Sequence, residues 1–325
     1  MKTSERTILH CILFQFLVIS ASAFVPSPTR SVSTLLLDVT EESSSTVDSR
    51  KKTDFTVPLS VEEMVRQVAA CMKLASSDGR TKQIIRVLLP RDANNADFGK
   101  YWEQDSTSRG NSILVPNDES WQGGIMQLYR SAAPTGAEIL RQYTKDVGLP
   151  PRITEDRSVD ESGVDGVGLL QTEDPPMACW VQPTQETVQD HIMDTLNDAD
   201  TTIILMNPQW RLVDDVLDSA SQGEGFLSGL ASFLGGKGSV LKRLNAAGFQ
   251  PVYTLEGYVC RGANVRLLQS YQADWQVFCE RDDGETYIPV GSLPSRPTYQ
   301  DVEQMLNDAN IGYKYARDIG LQPKL

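Results

Sequence analysis

Three apolar runs in this chain stop at a proline: QIIRVLLP at Pro90, MACWVQP at Pro183 and TTIILMNP at Pro208. Such short, continuously apolar runs mark strands buried on both faces, as in the parallel sheet of an α/β domain. Proline has no N–H to give a ladder, so it ends a strand, and its fixed φ suits the first turn of a following helix. Segments of helical period lie between these runs. SVEEMVRQVAACMKLASSDG carries Ser60 and Glu63 in capping-box spacing, a stripe of Val61, Met64, Val65, Val68 and Met72, and Gly79 as its stop. PNDESWQGGIMQLYRSA and TGAEILRQYTKDVG read as two helices, the first weakened by Gly123 and Gly124, the second with Thr135 and Glu138 in capping-box spacing. TQETVQDHIMDTLNDA is capped by Thr184, Ser239 to Ala247 is helical, and Pro297 and Thr298 open a last helix in RPTYQDVEQMLNDAN.

FQPVYTLE and YVCRGANVRLL are extended, and WQVFCERDDGETYIPV is a hairpin turned at Asp283-Gly284. This alternation predicts a three-layer α/β fold: a mostly parallel central sheet with an antiparallel C-terminal hairpin, in a single domain over 55–310. Residues Arg152 to Asp174 hold seven acidic and two basic side chains with several glycines, which predicts a mobile acidic loop. Residues 311–325 read as an irregular tail.

The first residues carry an address. Lys2 and Arg6 precede the apolar run Ile8 to Ile19, and Ala21-Ser22-Ala23 supplies a small-residue cleavage pattern. The run falls short of the ~20 apolar residues of a spanning helix, so residues 1–23 are expected to be a signal peptide. The Ser/Thr-rich stretch after it, with Phe24 directly behind the cleavage point, resembles the bipartite plastid leaders of diatoms and related algae. That resemblance makes residues 24–54 a transit peptide and disordered linker and places the mature protein in the plastid stroma. Asp38, Glu41, Glu42 and Asp48 put the end of the transit part near Leu37. The alternative is a secreted protein.

With 30 basic against 43 acidic residues, net −13, the chain is a poor match for a nucleic-acid phosphate backbone. Cys71, Cys179, Cys260 and Cys279 lie in apolar-periodic segments without a C-x-x-C pair, as buried thiols do. No second long apolar run exists, so stable membrane insertion after processing is not expected.

In an open α/β sheet, ligands bind beyond the carboxyl ends of the strands. The groups placed there are Arg91, Asp92, Gln182, Thr184, Asn207, Gln209, Trp210 and Arg211, which equally suit plain helix-start chemistry. GEGFLSGLASFLGGKGS fails as a phosphate loop, because Ala231 stands at the first glycine position and Gly238 replaces the Ser or Thr. Its Phe226, Leu227, Leu230, Phe233 and Leu234 share one helical face, which could cover the sheet or press against a membrane surface or a partner. His191 is the one histidine past the leader, and no cysteine cluster accompanies it, so neither a zinc site nor a catalytic constellation is expected. No cofactor is implied.

IILMNPQW, GFQPVYTLEGYVCRG, YQADWQVFCE and SRPTYQDVEQML, in that order, resemble a plastid and cyanobacterial family long labelled only as of unknown function. So does the helix from Val61 followed by IIRVLLP, and PNDESWQGGIMQLYR is similar to its plant and algal members. The resemblance covers about Val57 to Leu306. The family includes the plant low photosystem II accumulation protein and the C-terminal extension of a chloroplast adenylate kinase; the kinase portion has no counterpart here. Its late arginine and tryptophan fall on Arg261 and Trp275, separated here by a longer spacer. The resemblance implies a non-catalytic stromal interaction protein assisting assembly or maintenance of the photosynthetic apparatus, photosystem II in particular. It would dock on a plastid, thylakoid-associated partner through the Phe226–Leu234 helix. The alternative is a small-molecule or nucleotide/phosphate-binding protein, with a transferase as its catalytic form. The residues expected to carry either role are Asn207, Gln209, Trp210, Arg261, Phe226, Leu230 and Phe233.

Overall fold

The computed structural model describes residues 55–116, 124–150, 152–159, 166–196, 200–210 and 237–325. The leader and linker, and the helix expected around Phe226, lie outside them. The first layer begins with α1 (Val61–Ser77), where the Ser60 side chain accepts from the Glu63 N–H at 3.1 Å. The Glu63 carboxylate accepts instead from Leu59 N–H, and Gly79 at φ +71° closes the helix. After β1 (Lys82–Arg86) comes a ribbon of β2 (Leu89–Asp92) and β3 (Ser112–Val115), between which lie α2 (Lys100–Glu103) and a 3-10 segment, Ser106–Asn111. Pro90 therefore does not end β1. It sits inside β2 opposite Leu114, and Arg91 and Asp92 go with it.

The two helices expected before residue 150 are one: α3, Ile125–Asp146, with Pro134 inside it. Thr135 is an interior residue whose hydroxyl donates to the Ser131 carbonyl at 2.8 Å, and it caps nothing. Packing overrides the proline because Ser131, Ala132, Ala133, Thr135, Gly136 and Ala137 are all buried. A Cβ on Gly136 would stand 3.0 Å from both Leu170 Cδ1 and Met206 Sδ, so glycine sets how closely α3 approaches the sheet.

The segment expected to be a mobile acidic loop contains β4 (Glu155–Ser158) and β5 (Gly168–Glu173). β5 sends Leu169 and Leu170 into opposite core layers, and the charge count of the segment concealed that short apolar run. Next come β6 (Pro176–Val181) and α4, which runs Gln185–Thr187, a π-turn Val188–Ile192 and Met193–Thr195, behind the expected Thr184 cap. They are followed by β7 (Thr202–Met206), α5 (Lys237–Ala246), β8 (Gln250–Cys260), β9 (Ala263–Ser270), β10 (Trp275–Glu280) and β11 (Tyr287–Leu293). β8 and β9 form a hairpin, where the sequence pattern alone shows two extended segments. Its turn residues Arg261 and Gly262 both have positive φ, the requirement of a primed turn. The hairpin at Asp283-Gly284 joins β10 and β11 as expected.

The nine strands run in the order β11-β10-β9-β8-β1-β7-β6-β5-β4. The four central ones, β8, β1, β7 and β6, are parallel, and antiparallel strands extend the sheet on both sides. The predicted architecture thus holds, with a second antiparallel flank added by β5 and β4. Neighbouring β1 residues divide the core: Ile85 faces the layer of α1 and α3, and Ile84 the layer of α4 and α5. On the distal strands the second face is covered by α6 (Tyr299–Asp308), with Val302 and Leu306 against Leu267, Val277 and Cys279.

The tail is not irregular. It forms α7 (Lys314–Asp318), whose Arg317 is 1% exposed and donates from Nε to Asp282 Oδ1 at 2.9 Å. Asp282 Oδ2 also accepts the Leu325 N–H, so one acid fixes both the helix and the chain behind it.

Candidate functional site

Of the residues expected at the carboxyl ends of the parallel strands, Gln182, Asn207, Gln209 and Trp210 converge; Arg91 and Asp92 lie in β2, Thr184 caps α4, and Arg211 lies outside the described residues. Asn207 leaves β7 at φ 46°, and Gln182 leaves β6 at φ 52°; both are buried. The Asn207 side chain closes a two-way clasp on β1, accepting from Val87 N–H at 2.8 Å and donating to Val87 O at 3.1 Å. Gln209 donates to Gln182 O at 3.0 Å, and Arg86 reaches the carbonyls of Pro208 and Trp210. Trp210 packs on the core of the second face. This constellation is a latch between strand ends.

Arg261 stands apart, at the β8–β9 turn. Its guanidinium donates to Ile311 O at 3.0 Å and to Asn307 Oδ1, and lies over the Tyr313 ring at 5.2 Å. It anchors the α6–α7 connection to the hairpin, beside a cavity of about 410 Å³ that Tyr313, Lys314 and Tyr315 also line. Trp275 is a core residue of β10. Phe226, Leu230 and Phe233 lie outside the described residues. His191, on the π-turn of α4, stacks on Trp180 at 6.1 Å.

The larger cavity, about 740 Å³, is a cleft on the helical layer that the sequence reading did not single out. Val61, Glu62, Val65 and Arg66 of α1 line it together with Glu138, Arg141, Gln142 and Lys145 of α3. Tyr101 and Trp102 of α2 and Arg109 of the 3-10 segment complete the wall, with Leu149 beyond α3. The Arg109 guanidinium lies 5.3 Å from the Tyr101 ring centre and 4.9 Å from that of Trp102, and its Nε donates to Gln104 O at 3.1 Å. A guanidinium held this way presents its remaining N–H groups in a fixed fork suited to a carboxylate or phosphate. Burial, with the Glu62 carboxylate adding to it, raises the Tyr101 phenol above its ordinary pKa despite Arg109, so the hydroxyl stays protonated.

Arg141 pairs with Glu138 at 2.5 Å, whereas Arg66 and Lys145 form no ion pair among the described residues. The cleft thus carries four cations and two carboxylates in a chain of net charge −13. Arg66, Arg141 and Lys145 flank apolar stripes at the spacing of any solvated helix face, and KYWEQDSTSRG has no period, which is why pattern alone passed over the cleft.

Among the described residues no group of three His, Cys, Asp or Glu side chains could hold a metal ion, and no helix is long and apolar enough to cross a membrane. No curated protein and no solved structure matches the chain. Residues 58–304 match the profile of a family described as Domain of unknown function (DUF1995), over nearly the stretch where the sequence blocks fall. With three quarters of its length matched, the chain belongs to the DUF1995 family.

Proposed function

We propose that this protein is a non-catalytic binding protein of the plastid stroma that assists assembly or maintenance of the photosynthetic apparatus. It holds its partner in the cleft between α1 and α3. The observation that carries the reading is the contrast between two sets of polar groups. The Asn207 and Gln209 side chains at the strand ends bond to the protein's own backbone, while Arg66, Lys145 and the Arg109 fork face a cavity. The stromal setting is supported by the leader, and the role in photosystem II accumulation by the resemblance to the plant family member. Affinity capture from plastid extract with the full chain tests this: a thylakoid assembly component should be recovered reproducibly, and its repeated absence contradicts the reading.

A second reading, a phosphate- or nucleotide-binding protein, is favoured by the size of the cleft, which lies within the ~300–1,000 Å³ range of small-ligand sites. A thermal-shift screen with nucleotides and sugar phosphates separates the two. A ligand at 100 times its Kd stabilises the fold by about 2.7 kcal/mol, and no shift with any of them removes this reading.

A further inference from the structure

Resting on the binding-protein reading, we infer that the α1–α3 cleft is a docking groove for an acidic, amphipathic segment of a partner protein. Its floor and its rim select different halves of such a segment. Val61 and Val65 line the cleft from α1 while themselves buried at 4% and 6% exposure, so an apolar side chain entering it meets core-like surface. Arg66 on one wall and Lys145 on the other are exposed and unpaired among the described residues, so neither must leave a protein partner to meet a carboxylate. At the end formed by α2, Arg109 is held against Tyr101 and Trp102.

Tyrosine, tryptophan and arginine dominate the energetics of protein–protein contacts, because rigid, amphipathic side chains lose little freedom on docking. Here all three types gather in one cleft. The groove lies between two helix flanks, the setting in which an amphipathic helix lays its apolar face against a partner. Charge complementarity fixes the sign: a chain that is acidic overall is locally cationic here, so an acidic segment is attracted to the groove and repelled elsewhere.

The test uses the full chain and three synthetic peptides: one with leucine on one helical face and glutamate on the other, its scrambled form, and its lysine-for-glutamate form. Fluorescence anisotropy should show binding of the acidic amphipathic peptide alone, weakening as salt rises. The double variant Arg66→Glu/Lys145→Glu should lose about tenfold or more in affinity and gain the lysine peptide. Lys242→Glu, on the opposite face of the sheet, should leave both unchanged. Circular dichroism confirms that the variants fold, as expected for exposed, unpaired positions. Equal binding of the scrambled peptide, or an unchanged affinity in the double variant, overturns the inference. So does binding of ATP or inorganic phosphate in the cleft with no peptide binding. If the double variant still captures the thylakoid component from plastid extract at wild-type yield, the cleft falls as the docking place while the thylakoid partner itself stands.

Discussion

Asn207 shows how one side chain can bind two strands together. Its amide satisfies both backbone groups of Val87 while its own backbone occupies the left-handed region, which asparagine tolerates better than most residues. Asn207→Ala strips both buried hydrogen bonds and should destabilise the domain by about 3 kcal/mol. Asn207→Gly keeps the backbone unstrained and should cost measurably less in the same urea titration. Gly257 presents the opposite constraint: a Cβ there would lie 2.1 Å from Arg266 Nη1, whose guanidinium carries a hydrogen bond to Leu114 O and covers the Tyr287 ring. Gly257→Ala should therefore cost about 1–3 kcal/mol, read as a lower denaturation midpoint at unchanged slope. Burial pushes the Cys71 thiol up to about 11 and the Cys179 thiol up to about 12. Iodoacetamide at pH 8, followed by peptide mapping, should leave both unmodified until the domain unfolds; early labelling of either would contradict their burial.

At the scale of elements, much was legible. The caps at Ser60, Thr184 and Thr298, the buried runs of β1, β6 and β7, and the Asp283-Gly284 hairpin were fixed by local chemistry and were read as such. The misreadings share a cause, since each needed a tertiary partner to be seen. Pro134 looks like a helix boundary unless the sheet beneath Gly136 is known. The β4–β5 pair looks like an acidic loop unless Leu169 and Leu170 are seen packing into the two core layers beside β6. The tail looks irregular unless Arg317 is seen reaching Asp282. That contact makes a prediction of its own. Burial works against ionisation of Asp282, but the Leu325 N–H and the Arg317 guanidinium outweigh it and hold the carboxyl below the usual carboxylate range. Its contribution is therefore in place above the unfolded pKa of about 3.9 and is lost as pH falls through the lower folded value. The stability gap between wild type and Asp282→Asn should be level from pH 5 to pH 8 and close below about pH 4. Arg317→Ala, which empties a fully buried position and takes the cation from half-buried Asp282, should cost about 2–5 kcal/mol at neutral pH.

For the whole molecule, a sheet with a parallel centre and antiparallel flanks is covered on one face by α1 and α3 and on the other by α4, α5 and α6. At the customary ligand position of such sheets, beyond the strand ends, lies the Asn207 latch. The cationic cleft lies instead on the helical layer, built from three separate stretches of chain. Its residues are ordinary one by one, and only the fold brings them together, so the fold class could be read from the sequence while the candidate site could not. If partners meet this protein at the proposed α1–α3 cleft, a crosslinker placed there must find them. The most direct measurement places a photo-crosslinking amino acid at Gln142, in the cleft, or at Gln209, beside the latch, and irradiates each full-length protein in plastid extract. Position 142 should give a discrete partner adduct and position 209 none; an adduct from 209 with none from 142 would overturn the cleft as the docking place.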